Sequence, residues 1–75
     1  MTHIAISQHI VELARVNIHR DGRGAEGDCL EDCEIRVAEA LATALHREGL
    51  METGYYEVAL VNNNNVVIHS EDLVV

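Results

Sequence analysis

The feature that most constrains the fold of this chain is a nearly complete set of helix signals that begins at residue 28. Asp28 and Glu31 have the spacing of a capping box, in which an N-cap carboxylate and an acid three positions later satisfy free backbone amides. An apolar stripe at helical spacing follows, formed by Leu30, Cys33, Val37, Leu41, Ala44 and Leu45. The pattern predicts an amphipathic helix with a polar outer face.

The end of this helix is signalled equally well. His46 and Arg47 place basic groups at the negative end of the helix dipole. Gly49 suits a left-handed stop, after which Leu50 can fold back on Leu45 in a Schellman motif.

Residues 3–20 show a second helical pattern, because their apolar side chains share one half of a helical wheel. These side chains are Ile4, Ile6, Ile10, Val11, Leu13, Ala14 and Ile18. In residues 15–20, however, β-branched and polar residues alternate, so a short strand is the alternative there.

The C-terminal third resembles a β-hairpin. Two β-branched runs, 55–61 and 66–70, flank the asparagines 62–65, which tolerate positive φ. Residues 70–75 extend the second strand or add to an edge. The expected fold is therefore a single α+β domain over residues 1–75, with two helices followed by an antiparallel hairpin. Without Phe or Trp, the small aliphatic core also favours a homodimer.

Gly22, Gly24 and Gly27 have the G-x-G-x-x-G spacing of a dinucleotide site. Such a site needs a preceding strand, a parallel sheet and a helix N-terminus open to phosphate. Here the chain is short and acids surround the helix start, so these glycines are interpreted as an inter-helix loop.

No catalytic or metal-binding pattern is convincing. Cys29 and Cys33 lie four residues apart, and the five histidines show no zinc-finger spacing to them. Ser7 and Ser70 lack the surroundings of an activated nucleophile. We expect no enzymatic activity, no cofactor and no metal, with a thiol- or zinc-dependent regulator as an alternative.

Charge is the most informative bulk property, with 13 acids, five arginines and a net charge of −8. Eleven of the acids fall in residues 26–75, against Arg36 and Arg47 alone. Such a field repels nucleic acid and anionic membranes and attracts basic proteins. A winged-helix DNA-binding protein, which the expected order of elements would allow, is disfavoured on the same ground. Ordinary solubility is the alternative interpretation.

Neither a membrane span nor a signal peptide is indicated, since no apolar run approaches the ~20 residues that a span needs. The N-terminal segment also lacks a basic start. With only two cysteines, the chain is expected to lie in the cytosol with reduced thiols.

Acids at helical spacing predict the partner-binding site. A rigid row of carboxylates can imitate a nucleic-acid backbone and occupy an arginine- or lysine-lined groove, and the two tyrosines add apolar contact. The predicted residues are Glu26, Asp28, Glu31, Asp32, Glu39, Tyr55 and Tyr56.

In size, acidity and lack of catalytic motifs, the chain resembles the small phage-encoded anti-defence proteins, the anti-CRISPR proteins above all. The resemblance covers general character and no particular residues. It implies an inhibitor that binds a nucleic-acid-handling complex such as a CRISPR effector. An antitoxin-like protein and a homo-oligomeric structural or accessory phage protein are the alternatives.

Overall fold

The computed structural model describes residues 2–19 and 28–75. Its described part forms two layers, an antiparallel sheet of four strands in the order β2-β1-β3-β4 and one helix packed on one face. The elements are β1 His3–Gln8, β2 Val11–Asn17, α1 Asp32–Arg47, β3 Tyr55–Val61 and β4 Val67–Val74.

The prediction of a helix over residues 3–20 is wrong, because residues 3–17 form the hairpin of β1 and β2. Ile4 and Ile6 are buried toward α1, while Ala5 between them faces the opposite side, which is strand alternation. His9 and Ile10 make the turn with φ of 52° and 61°. Both lie in the left-handed region that hairpin turns require, although neither is one of the usual turn residues Gly, Asn or Asp.

The alternative of a strand at residues 15–20 is correct in part. Residues 15–17 belong to β2, but β2 begins earlier, at Val11, and ends at Asn17. The partner of β2 is β1, which the sequence pattern placed in the same helix.

The predicted C-terminal hairpin is confirmed. Tyr56, Val58 and Leu60 of β3 are buried in the core with Leu73 of β4. The strand after the asparagines extends to Val74. Of the two alternatives for residues 70–75, extension of the second strand is therefore the correct one. The other edge of the hairpin is completed by β1.

The predicted helix exists but begins later than expected. Glu31 is its N-cap and forms a capping box with Glu34, whose carboxylate accepts the backbone N–H of Glu31 at 2.8 Å. Asp28 precedes the helix by several residues and is not its cap. The capping box therefore lies about one turn further along the chain than predicted, between Glu31 and Glu34 and not between Asp28 and Glu31.

The Schellman ending is confirmed at the other end of α1. Gly49 has a φ of 75°, and its amide donates to the carbonyl of His46 at 3.1 Å. The amide of Leu50 donates to the carbonyl of Leu45 at 2.9 Å. These bonds satisfy two carbonyls that a helix end leaves without partners.

The buried face of α1 is turned by about a quarter of a turn from the predicted apolar stripe. Ala38 and Ala42 lie at its centre and are completely buried, whereas Cys33 and Val37 are exposed. Small side chains at the contact let the helix axis approach the sheet closely. Ile35, Leu41 and Leu45 pack at the sides of this contact.

The sheet face opposite α1 is called here the open face. Its floor is made of small side chains, since Ala5 and Ala59 lie at its centre and form a separate apolar cluster with Val61. The residues of the open face are His3, Ala5, Ser7, Glu12, Arg15, Tyr55, Glu57, Ala59, Val61, Val67, Ser70, Asp72 and Val74.

Candidate functional site

The structure keeps only part of the predicted acidic row available to a partner. Asp32 and Glu39 are exposed on α1. They lie two turns apart on one side of the helix, about 10 Å along its axis. Asp28 is half-buried, and Glu26 lies outside the described residues.

Glu31 is exposed but takes part in the start of the helix. It belongs to the capping box with Glu34, and one of its carboxylate oxygens lies 3.7 Å from the sulfur of Cys33. Its charge therefore also serves the N-terminal end of the helix dipole.

The acids and bases of α1 occupy different parts of its exposed surface. Arg36 and Arg47 lie along the middle of the surface that points away from the sheet. Glu39, in contrast, is turned toward β4, where it lines a groove together with Asp72. The side of the helix next to β4 is therefore the acidic one.

Strand β4 adds two carboxylates that sequence analysis did not include in the site. Glu71 and Asp72 are exposed on this edge strand. Together with the two exposed acids of α1, they form what we call the acidic edge, consisting of Asp32, Glu39, Glu71 and Asp72. Of these four, Asp72 also belongs to the open face, because it pairs with Glu57. The run of Ser70, Glu71 and Asp72 was visible in the sequence, but only the topology places β4 beside α1.

No arginine forms an ion pair with the acidic edge in the described part of the chain, although Arg36 lies one turn from Asp32 on α1. Arg15 lies on the opposite edge of the sheet, where its guanidinium bonds both carboxylate oxygens of Glu12, at 3.0 and 3.2 Å. The Nε2 atom of His69 lies 3.4 Å from a carboxylate oxygen of Glu71.

The two tyrosines of the predicted site have different environments. Tyr55 is exposed on the open face, so it is available for contact. Tyr56 is 4% exposed and donates its hydroxyl hydrogen bond to the carbonyl of Glu52. Tyr56 is therefore a core residue. Of the two tyrosines predicted at the interface, only Tyr55 is exposed to a partner.

An apolar surface that sequence analysis missed lies at the end of the sheet where β1 turns into β2. Ile10 is fully exposed there and lines the same cleft as Tyr55, Glu57 and Asp72. Val74, the cross-strand partner of Tyr55, is exposed beside them. Strand alternation would have predicted this cluster if the β1–β2 hairpin had been recognised in the sequence.

The thiols and histidines form no evident metal centre. Cys29 and Cys33 are exposed and are not joined in a disulfide. Within residues 2–19 and 28–75, His, Cys, Asp and Glu nowhere gather in a group of three or more that could hold a metal ion. In the same part of the chain, the helix is too short and too polar to cross a membrane.

Comparison with protein-family models, with curated proteins and with solved structures gave no match to this chain. The class of protein is therefore defined by its own features. It is a small two-layer α+β domain with an acidic edge on one side and an open face on its sheet.

Proposed function

We propose that the protein is a non-enzymatic inhibitor that binds a basic, nucleic-acid-binding surface of a bacterial defence complex such as a CRISPR effector. It would act in the cytoplasm of the bacterial host. The acidic edge is the contact surface, and it occupies the place of the nucleic-acid backbone.

The observation that supports this proposal is the position of Glu39 and Asp72 in one groove. This groove brings acids of the helix and of the edge strand to the same edge of the molecule, with Glu71 on the α1 side of the strand and Asp72 on the open-face side. A nucleic-acid groove that carries Lys and Arg along its length offers several cations to such a surface. A single exposed ion pair contributes only about 0.2–1 kcal/mol, so the proposed affinity depends on several pairs together and on apolar contact at the rim.

Charge of this kind acts most strongly on the rate of association. Complementary fields can raise association rates from about 10⁵–10⁶ to 10⁸ M⁻¹s⁻¹ or more at low salt. Exposed charges are screened beyond about 8 Å at physiological ionic strength. We therefore expect inhibition to weaken as salt rises, with the loss mainly in the association rate.

The experiment is a plasmid-interference assay in bacterial strains that carry active CRISPR systems of different types. The wild-type protein is expected to restore transformation by a targeted plasmid in at least one strain. The variant carrying Asp32→Lys and Glu39→Lys is expected to lose this effect. Two charge reversals at the contact weaken binding by about 2–3 kcal/mol, or roughly 30- to 150-fold.

A matched control variant carries Glu48→Lys and Glu52→Lys, which changes net charge equally at exposed positions outside the acidic edge. It is expected to inhibit like the wild type. If both variants fail equally, net charge and not the acidic edge is responsible. If the wild-type protein restores transformation in no strain, the proposed target class is wrong.

A further inference from the structure

We propose that the open face binds a second copy of the chain, with Ile10 as the apolar anchor and Arg15 as the charged one. The two copies are related by a two-fold axis that runs parallel to the strands. The proposal concerns a different surface from the function proposed above, and Asp72 is the one residue that the acidic edge and the open face share.

Ile10 adopts an unfavourable conformation in the isolated chain. Its φ of 61° lies in the left-handed region, where a β-branched residue is an outlier, and its side chain is fully exposed. A residue that is both strained and exposed is unfavourable in the isolated chain. Strain of this kind is found where a side chain must be presented to something else.

Two acids of the open face have no ion-pair partner in the described part of the chain. Glu57 and Asp72 lie directly opposite each other on β3 and β4, and both are exposed. Like charges at such positions destabilise a sheet. A cation brought by a partner would remove this repulsion.

The open face itself carries that cation, on its other side. Arg15 is paired with Glu12, and Glu12 lies opposite Ser7, which in turn lies opposite Glu57. The backbone of Arg15 lies opposite Ala5, but its guanidinium extends to Glu12, which is level with the two acids of β3 and β4. Within the described part of the chain, Arg15 is the only arginine on the open face.

A two-fold axis parallel to the strands, above the boundary between β1 and β3, makes this face self-complementary. It places β2 of one copy over β4 of the other without shifting positions along the strands. Arg15 then faces the Glu57–Asp72 pair of the second copy. At the end of the sheet, Ile10 faces Tyr55 and Val74, which lie at its own level. Both contacts occur twice, as an isologous interface requires.

The size of the open face indicates a weak dimer. Four strands spaced about 4.8 Å apart and about 23 Å long cover only about 450 Å² as a flat projection. Stable interfaces bury about 800 Å² per partner. We therefore expect a dimer whose population depends on concentration in the micromolar range.

The test is sedimentation equilibrium from 1 to 300 μM, values chosen on the order of the affinity expected for a small interface. The wild type is expected to pass from monomer to dimer. Arg15→Glu and Glu57→Arg, each alone, are expected to raise the dissociation constant at least tenfold. Mixed together, these two variants are expected to form a heterodimer. In this heterodimer, position 15 of each chain faces position 57 of the other, and both contacts join opposite charges.

Ile10 has an independent test. Ile10→Gly is expected to raise the dissociation constant at least tenfold while raising the urea midpoint of the dilute monomer, since glycine relieves the strain. A purely structural role would not weaken the dimer. Arg36→Glu and Leu50→Ser, which change an exposed charge and an exposed apolar side chain away from the open face, are expected to dimerise like the wild type.

A wild-type chain that stays monomeric up to 300 μM, a concentration well above that expected to populate a weak interface, would overturn the proposal. So would a dimer that ignores all three open-face substitutions, which would indicate pairing through the edge of β2 or β4. Mixed variants that remain monomeric while the wild type dimerises would show that Arg15 and Glu57 do not meet across the interface.

Discussion

At the scale of single residues, Asn62 organises the connection between β3 and β4. It is buried, and its side-chain oxygen accepts the backbone N–H groups of Asn64 at 2.9 Å and Val66 at 3.0 Å. The run of four asparagines predicted a turn, but it did not show which asparagine holds the turn together. Burial and hydrogen bonding distinguish Asn62 from its exposed neighbours.

Asn62→Ala is expected to lower the free energy of unfolding by about 2 kcal/mol, because two amides lose their acceptor. Asn62→Asp keeps an acceptor oxygen and is expected to lose less. Asn63→Ala, at an exposed position, is the control and is expected to change stability by less than about 0.5 kcal/mol. Urea denaturation measures all three. Equal losses at Asn62 and Asn63 would contradict the role assigned to Asn62.

The turn residue Ile10 gives a prediction of the opposite sign. A left-handed conformation costs an L-residue roughly 1–2 kcal/mol, and glycine avoids most of this cost. Ile10→Gly is therefore expected to raise the free energy of unfolding by about 1 kcal/mol, measured at low micromolar concentration where the chain is monomeric. A loss of stability would mean that the Ile10 side chain supports the fold of the monomer.

At the scale of elements, the close contact between α1 and the sheet depends on alanine. Ala38 is completely buried there, whereas Ala40 is exposed on the other side of the helix. Ala38→Leu is expected to destabilise the fold by about 1–3 kcal/mol through overpacking. Ala40→Leu is expected to be within about 0.5 kcal/mol of the wild type. If thermal unfolding ranked them in reverse order, the face of α1 assigned to the core would be wrong.

The same scale shows which parts of the fold the sequence could predict. The helix end at Gly49 and the β3–β4 hairpin carry local signals, and both were predicted. The β1–β2 hairpin carries no such signal, since His9 and Ile10 make its turn without Gly, Asn or Asp. Its isoleucines fit a helical wheel as well as a strand. Pairing with β3, a contact distant in sequence, decides between the two.

At the scale of the whole molecule, the candidate site could be predicted only in part. Asp32 and Glu39 follow from helical spacing alone. Glu71 and Asp72 join them because β4 is the edge strand beside α1, which no local pattern shows. The open face depends in the same way on topology, because the sheet order places Arg15 on the same face as Glu57 and Asp72, which are distant from it in sequence.

The two proposals together describe a dimer that carries its acidic edges at its periphery. Dimerisation would place two acidic edges in one particle, and tethering raises the effective concentration of the second edge once the first is bound. The Arg15→Glu variant is therefore expected to inhibit less strongly than the wild type on a target that offers two basic sites, and equally on a target that offers one. Titrating inhibition with both proteins measures this difference.

The most direct test of the central claim is competition with nucleic acid on a purified CRISPR effector complex that the interference assay identifies. DNA binding by the complex would be titrated with the wild-type protein and with the Asp32→Lys, Glu39→Lys variant at two salt concentrations. We predict that the wild-type protein displaces DNA competitively, less effectively at the higher salt, and that the variant displaces it at least about 30-fold more weakly. Binding that leaves DNA in place, or displacement by the variant equal to that by the wild type, would contradict the account.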